Sequence, residues 1–246
     1  MAETPTSRTP LYVALIGAIG LVLAGAAIGR GFSDARLAER YVSVKGVSER
    51  EAKANLALWP IPLVAANDDL ALAQTQVARS TERIKAFLVQ HGLDTSQAQL
   101  QALRVTDRQA NPYQAGEAGR RFIIRQTLIL RSTEPDKVLA ASQRVGELVQ
   151  AGVVLSSGEE YGPGGPTFLF TNLNEIKPAM IAEATSRARE AAEQFARDAG
   201  SRLGGIRQAN QGVFVILPRD QAPGVTEESQ LFKMVRVVST VDYYLR

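Results

Sequence analysis

The sequence predicts an α+β fold: antiparallel sheets with helices packed on one face. A ββα-ββ arrangement occurs twice around a middle helix, preceded by an N-terminal transmembrane helix. Three observations carry this. Segments of alternating hydrophobicity come in consecutive pairs, the pattern of hairpin-like pairing and not of strand–helix–strand crossovers. Three segments between them show apolar residues at helical spacing. An uncharged run lies within the first thirty of the 246 residues. The chain divides on this reading into an anchor or signal segment (1–30), a linker (31–40) and a body (41–246). Pseudo-repeats cover 41–132 and 153–246.

Residues 11–28, LYVALIGAIGLVLAGAAI, carry no charge. As a helix they cover roughly 27 Å, enough to span a bilayer core. The alternative is a cleaved signal peptide, with Arg8 ahead of the apolar core and Ala24-Gly25-Ala26 as cleavage site. The uncleaved anchor is favoured because the apolar run continues past that point. Both readings export the body of the chain. Gly25 and Gly29 are spaced to let two such spans pack closely. The flanking arginines, with Arg30, Arg36 and Arg40 after the run and Arg8 before it, point to a cytoplasmic body.

The body begins with a β-branched strand at 41–47, and a polar turn, SERE, leads to a second at 53–65. Asp68 or Asp69 caps a helix reaching about His91, with Leu70, Val77, Ile84, Phe87 and Leu88 on its apolar side and Gly92 ending it. Strands at 98–109 and 121–131 flank NPYQAGEAG. A second helix runs from Pro135 to just before Gly152. The order then recurs: a hairpin of 153–157 and 167–171 around YGPGGP, a helix over 178–202, and strands near 213–217 and 231–245. In that third helix Ala184, Ala188, Ala191, Ala192, Phe195 and Ala199 share a stripe narrow enough for close packing.

That helix carries a resemblance. EATSRAREAAEQFARDAGSRLGGI (183–206) resembles the signature helix of the SIMPL-domain family, with spaced alanines and then Ala-Gly and Leu-Gly leading into a strand. VSVKGVSERE (42–51) resembles the family's opening strand with its V-x-G element. NPY (111–113) is similar to the loop before the central strand, and VVSTVDYYLR (237–246) to the closing strand. The resemblance covers 41–246. It implies an exported bacterial protein of the periplasm or envelope, linked to stress responses, with no catalytic residues to carry over. On this ground the body is placed in the periplasm, beyond the inner membrane, against the arginine count. The departures are the N-terminal span and the Trp59–Pro62 stretch, where an unbroken β-branched strand is expected.

Composition closes several routes. There is no cysteine, which removes disulfides, thiolate nucleophiles and cysteine-ligated metals. Residues 1–40 hold four of the 28 basic and three of the 25 acidic residues, so the body is near neutral and lacks the footprint of a nucleic-acid binder. The lone histidine, His91, sits at a helix C-terminus, where it complements the dipole. The acid pairs Asp68-Asp69, Glu159-Glu160 and Glu227-Glu228 are adjacent in turns and splay apart, unlike a catalytic carboxylate pair. GPGG (162–165) lacks the Lys-Ser/Thr of a phosphate loop. Arg121, Arg125 and Arg131 share one face of their strand, which Arg104 and Arg108 can extend, but Ile123 and Ile129 interrupt the row. No catalytic, cofactor or metal residues are assigned, and no enzyme is expected.

One stretch, ANLALWPIPLVAAN, is unusual. Pro60 and Pro62 remove two donors from the same side of a strand, so that side cannot carry a normal ladder. The segment is expected at an edge or at a break. Leu56, Leu58, Pro60, Pro62 and Val64 face one way, and Ala57, Trp59, Ile61 and Leu63 the other. Both faces are apolar, so Trp59, Pro60, Ile61, Pro62 and Leu63 form the candidate interface, covered either by a second helix layer or by another subunit. The expectation is a non-enzymatic, membrane-anchored envelope protein acting by self-assembly or partner binding. The alternative is a periplasmic module holding a small or lipidic molecule between sheet and helices.

Overall fold

A computed structural model describes residues 18–31, 40–110, 119–156 and 165–246. After α1 (18–31) come β1 (Tyr41–Lys53), β2 (Leu56–Asn67), α2 (Leu70–Gln90), β3 (Ala98–Asp107), β4 (Phe122–Ser132), α3 (Pro135–Ser142) and α4 (Gly146–Gln150). Beyond them lie β5 (Thr167–Leu169), α5 (Leu173–Asp198), β6 (Leu203–Gln211), β7 (Val215–Pro218) and β8 (Phe232–Leu245). The architecture is α+β with antiparallel pairing. One sheet runs β3-β4-β2-β5; in the other, of order β1-β8-β6, β7 also pairs with β8.

α1 is exposed throughout. Among the described residues no helix is long and apolar enough to cross a membrane. Residues 11–17 of the expected span, the linker from 32, the NPY loop, and Glu159 and Glu160 lie outside the described residues. Gly25 and Gly29 lie on α1, with open space where a Cβ would stand.

The chain forms two compact units. One comprises Met1–Ser48, Ile181–Val213 and Val237–Arg246, the other Glu49–Met180 and Phe214–Arg236. Each draws on both ends of the body, so neither coincides with the halves 41–132 and 153–246.

In the second unit α2 lies on β2 and β4. The Asp69 carboxylate accepts from Leu72 N at 3.0 Å, which caps α2. Gly92, at φ 72°, takes the left-handed turn just beyond the His91 cap. Val77, Ile84, Phe87 and Leu88 pack on Trp59, Ile61 and Leu63 of β2 and on Ile124, Leu128 and Leu130 of β4, with Val138 and Leu148 closing the cluster. Leu70 belongs to the sequence's apolar stripe but is exposed.

Several expected elements differ. SERE does not turn: β1 runs on to Lys53, because exposed charged residues suit the solvent side of a strand. The helix expected over 135–151 is two short helices broken at 143–145. The two arms of the expected hairpin do not pair with each other; Leu155 bridges Leu63, while β5 pairs with β2 from Leu56 to Leu58. β6 has no counterpart in the sequence reading, its polar RQANQ showing no alternation. α5 begins at Leu173 and carries Pro178 inside it, although a proline reads in sequence as a helix start.

β3 contains a bulge. Gln101 opposes Thr127 but Arg104 opposes Arg125, so one extra residue lies between, and Ala102 there takes φ 55°. A left-handed alanine costs about 1 kcal/mol. Ala102→Gly should therefore raise stability by about that amount, read as a higher urea midpoint at unchanged m-value.

The first unit rests on a close approach. Ala184, Ala188, Ala192 and Ala196 of α5 are buried at four-residue spacing, whereas Ala191, Phe195 and Ala199 of the expected stripe are exposed. Against this stripe lies Gly46 of β1, where a Cβ would overlap the Ala184 carbonyl oxygen and come within 2.6 Å of Ala188 N. Two polar contacts fix the helix beside it. The buried Ser48 hydroxyl donates to Glu183 at 2.8 Å, and Arg187 donates to the Val47 carbonyl at 2.9 Å while pairing with Glu183. Val42, Val241 and Tyr243 complete this core.

Candidate functional site

β2 pairs with β4 without interruption from Ala57↔Ser132 to Asn67↔Phe122. Its other side is broken. The Leu58 carbonyl accepts from Thr167 Oγ1, the Pro62 carbonyl accepts from Ser156 N, and Val64 N donates to the Val154 carbonyl. Pro60 shares this direction by the two-residue alternation of a strand. The two missing donors therefore point to the side where β5 has stopped at Leu58 and the Leu155 bridge has yet to begin. β2 is an inner strand of its sheet, and among the described residues no strand pairs with it at Pro60 on this side.

The faces divide as the alternation predicts, but the candidate interface divides with them. Trp59, Ile61 and Leu63 are buried in the core of their own chain, Trp59 at 3% exposure. The Trp59 ring meets Phe87 edge-on with centroids 6.4 Å apart, and Phe87 in turn meets His91 at 4.4 Å. Only Pro60 and Pro62 lie on the half-buried opposite face.

A different surface is uncovered. β3 is the outermost strand of its sheet, and Leu100, Leu103 and Val105 are 46%, 54% and 50% exposed. Leu100 opposes Leu128 and Val105 opposes Ile124, both core residues, so these side chains share the helix-bearing face. The bulge achieves this. Without the extra residue the alternation would put Arg104 on that face and Val105 on the other. α2 covers β2 and β4, and among the described residues the strip on β3 stays about half exposed.

A cleft of about 440 Å³ opens in the same unit, lined by Val64, Ala65 and Ala66 at the end of β2, by Gln76, Arg79, Ser80 and Arg83 of α2, and by Gly152 and Val154. None of these α2 residues stands out in the sequence, where polar groups on a helix read as a solvated face. Gly152 is held at φ 78°, and a Cβ there would sit 3.2 Å from Arg83 Nη1.

Several of the remaining chemistry-bearing residues have structural partners. His91 Nε2 lies 3.0 Å from Glu147 Oε2. Asp68 pairs with Arg120 at 2.5 Å and accepts from Arg121 N, and both contacts hold its carboxyl below the usual range. The Arg121 guanidinium likewise lowers the Asp107 carboxyl, at 2.9 Å. Glu227 pairs at 2.9 Å with Lys233, whose side chain is fully buried. Arg104 and Arg125 are cross-strand partners, and Arg131 lies further along the same face with Ile129 between them in the row. Among the described residues no group of acids and histidine is placed to hold a metal.

Comparison with known proteins adds a family. No curated protein matches the chain. Among solved structures it is similar to the regulatory subunit of aspartate kinase from Thermus flavus, at 13% identity over 81% of this chain and 89% of that one; the TM-score of 0.18 carries no argument. Residues 42–237 match the model of the SIMPL family, described as a protein of unknown function (DUF541). The V-x-G strand and the alanine helix of the sequence are the two sides of the Gly46–Ala184 approach. The chain belongs to the SIMPL family.

Proposed function

We propose a non-enzymatic envelope protein that acts by assembling with copies of itself, the contact being made by β3. Residues 11–28 hold it to the inner membrane, with Gly25 and Gly29 packing between spans, and the body works in the periplasm in a stress-related role. The observation that carries this reading is the half-exposed apolar strip of Leu100, Leu103 and Val105 on an outermost strand. A strand of this kind offers ladder groups along its edge and an apolar flank beside them. A second copy supplies the same surface in return, as a twofold contact requires. The bulge at Ala102 confines pairing to short stretches, which favours a defined contact over runaway strand addition.

Light scattering on the detergent-extracted full chain tests this. The wild type should be a defined multimer, and Leu103→Glu should reduce its mass while leaving the circular dichroism spectrum unchanged. A wild-type monomer, or a multimer indifferent to the substitution, would sink the reading.

A further inference from the structure

We infer that the cleft between the end of β2 and α2 is a binding site for a phosphate-bearing small molecule, gripped by Arg79 and Arg83. The proposal is independent of self-assembly and gives chemistry to a second role for the same body.

Two cations four residues apart on a helix repel, and such a pair ordinarily recruits a carboxylate. Here none answers. Among the described residues neither arginine makes an ion pair or a hydrogen bond. Glu82, the acid nearest in sequence, is paired with Lys85 at 3.1 Å. Arg79 and Arg83 both line the cleft, and among the described residues no carboxylate does. Both side chains are exposed, so water and salt screen most of the repulsion, and a bound anion would remove the rest.

A second observation points the same way. Ser80 lies between the arginines in sequence, is only 8% exposed, and lines the cleft, yet among the described residues its hydroxyl has no partner. Solvent reaches this hydroxyl, and a ligand oxygen in the cleft would take the place of water as its partner. Ala66 adds a backbone donor. By strand alternation its N–H points to the same side as that of Val64, beyond the pairing with Val154.

The donor set selects the anion. Two guanidinium forks, a hydroxyl and a backbone N–H exceed what the two oxygens of a carboxylate can use, and they suit the three free oxygens of a phosphomonoester. The volume of about 440 Å³ exceeds the needs of free phosphate. Val64, Ala65 and Val154 offer an apolar wall for the rest of the molecule. Gly152 keeps the entrance open, since any side chain there would meet Arg83.

The test is isothermal titration of the full chain in detergent with glycerol 3-phosphate, inorganic phosphate, acetate, and mixed micelles containing phosphatidic acid. The wild type should bind glycerol 3-phosphate at least tenfold more tightly than acetate. Arg79→Gln with Arg83→Gln should abolish binding, and Ser80→Ala should weaken it several-fold, while Arg131→Gln on β4 leaves it unchanged. Without ligand the double variant should melt no lower than the wild type, since it relieves a repulsion, which separates lost binding from lost folding. Binding to phosphatidic acid alone, lost in the double variant, would identify a lipid headgroup as the phosphate source. Equal titration curves for the wild type and the double variant, or no binding by any probe, would overturn the proposal.

Discussion

Gly46→Ala is expected to destabilise the protein by about 3 kcal/mol or more, the upper end of what overpacking a closed core costs. The added Cβ has no free volume. It would overlap the Ala184 carbonyl oxygen and stand 2.6 Å from Ala188 N and 2.9 Å from the Ala184 carbonyl carbon. All three are backbone atoms of α5, so no side-chain rotation relieves the clash. The helix must move off β1 as a body. That movement would also stretch the Ser48–Glu183 and Arg187–Val47 hydrogen bonds, which lie close to the glycine along β1. Urea denaturation should show the loss as a lower midpoint. Val42→Ala, a truncation in the same core, should cost distinctly less, because it leaves the backbone approach intact.

Trp59→Ala should cost about 3–5 kcal/mol, the range for deleting a large buried aromatic. The indole fills the space between β2 and α2, and its edge-on contact with Phe87 supports the ring against which His91 is set. Its removal leaves a void lined by Leu130, opposite it on β4, and by the underside of α2. The effect should be confined to stability. At low denaturant, where the variant is folded, its subunit stoichiometry should equal that of the wild type, because the ring is buried within its own chain. A change in stoichiometry without a change in midpoint would return Trp59 to an intersubunit surface.

Features of this chain are legible in its sequence where the physics is local. The cap at Asp69, the stop at Gly92 and the two-faced alternation of β2 can all be read, since each depends on neighbours within a few residues. The shared direction of the Pro60 and Pro62 deletions is legible too. That they face the side where β5 and the Leu155 bridge pair with β2 is not, because those partners arrive from about a hundred residues away. β6 escapes because it is polar and nearly all exposed, without alternation to read. Leu103 and Val105 cannot be placed from sequence, since the bulge that sets their face depends on registry with β4. The cleft shows the same limit. Arg79 and Arg83 have a one-turn spacing visible in the sequence, but only the fold brings Gly152 and Val154 across from them.

The chain's lack of cysteine makes self-assembly through β3 measurable by cross-linking. Single replacements Gln101→Cys on β3 and Arg197→Cys on the exposed side of α5 would be oxidised in the native membrane and resolved on a non-reducing gel. A disulfide-linked dimer is expected from the β3 site and monomer from the α5 site. Monomer from both sites, or dimer from the α5 site alone, would refute assembly through β3.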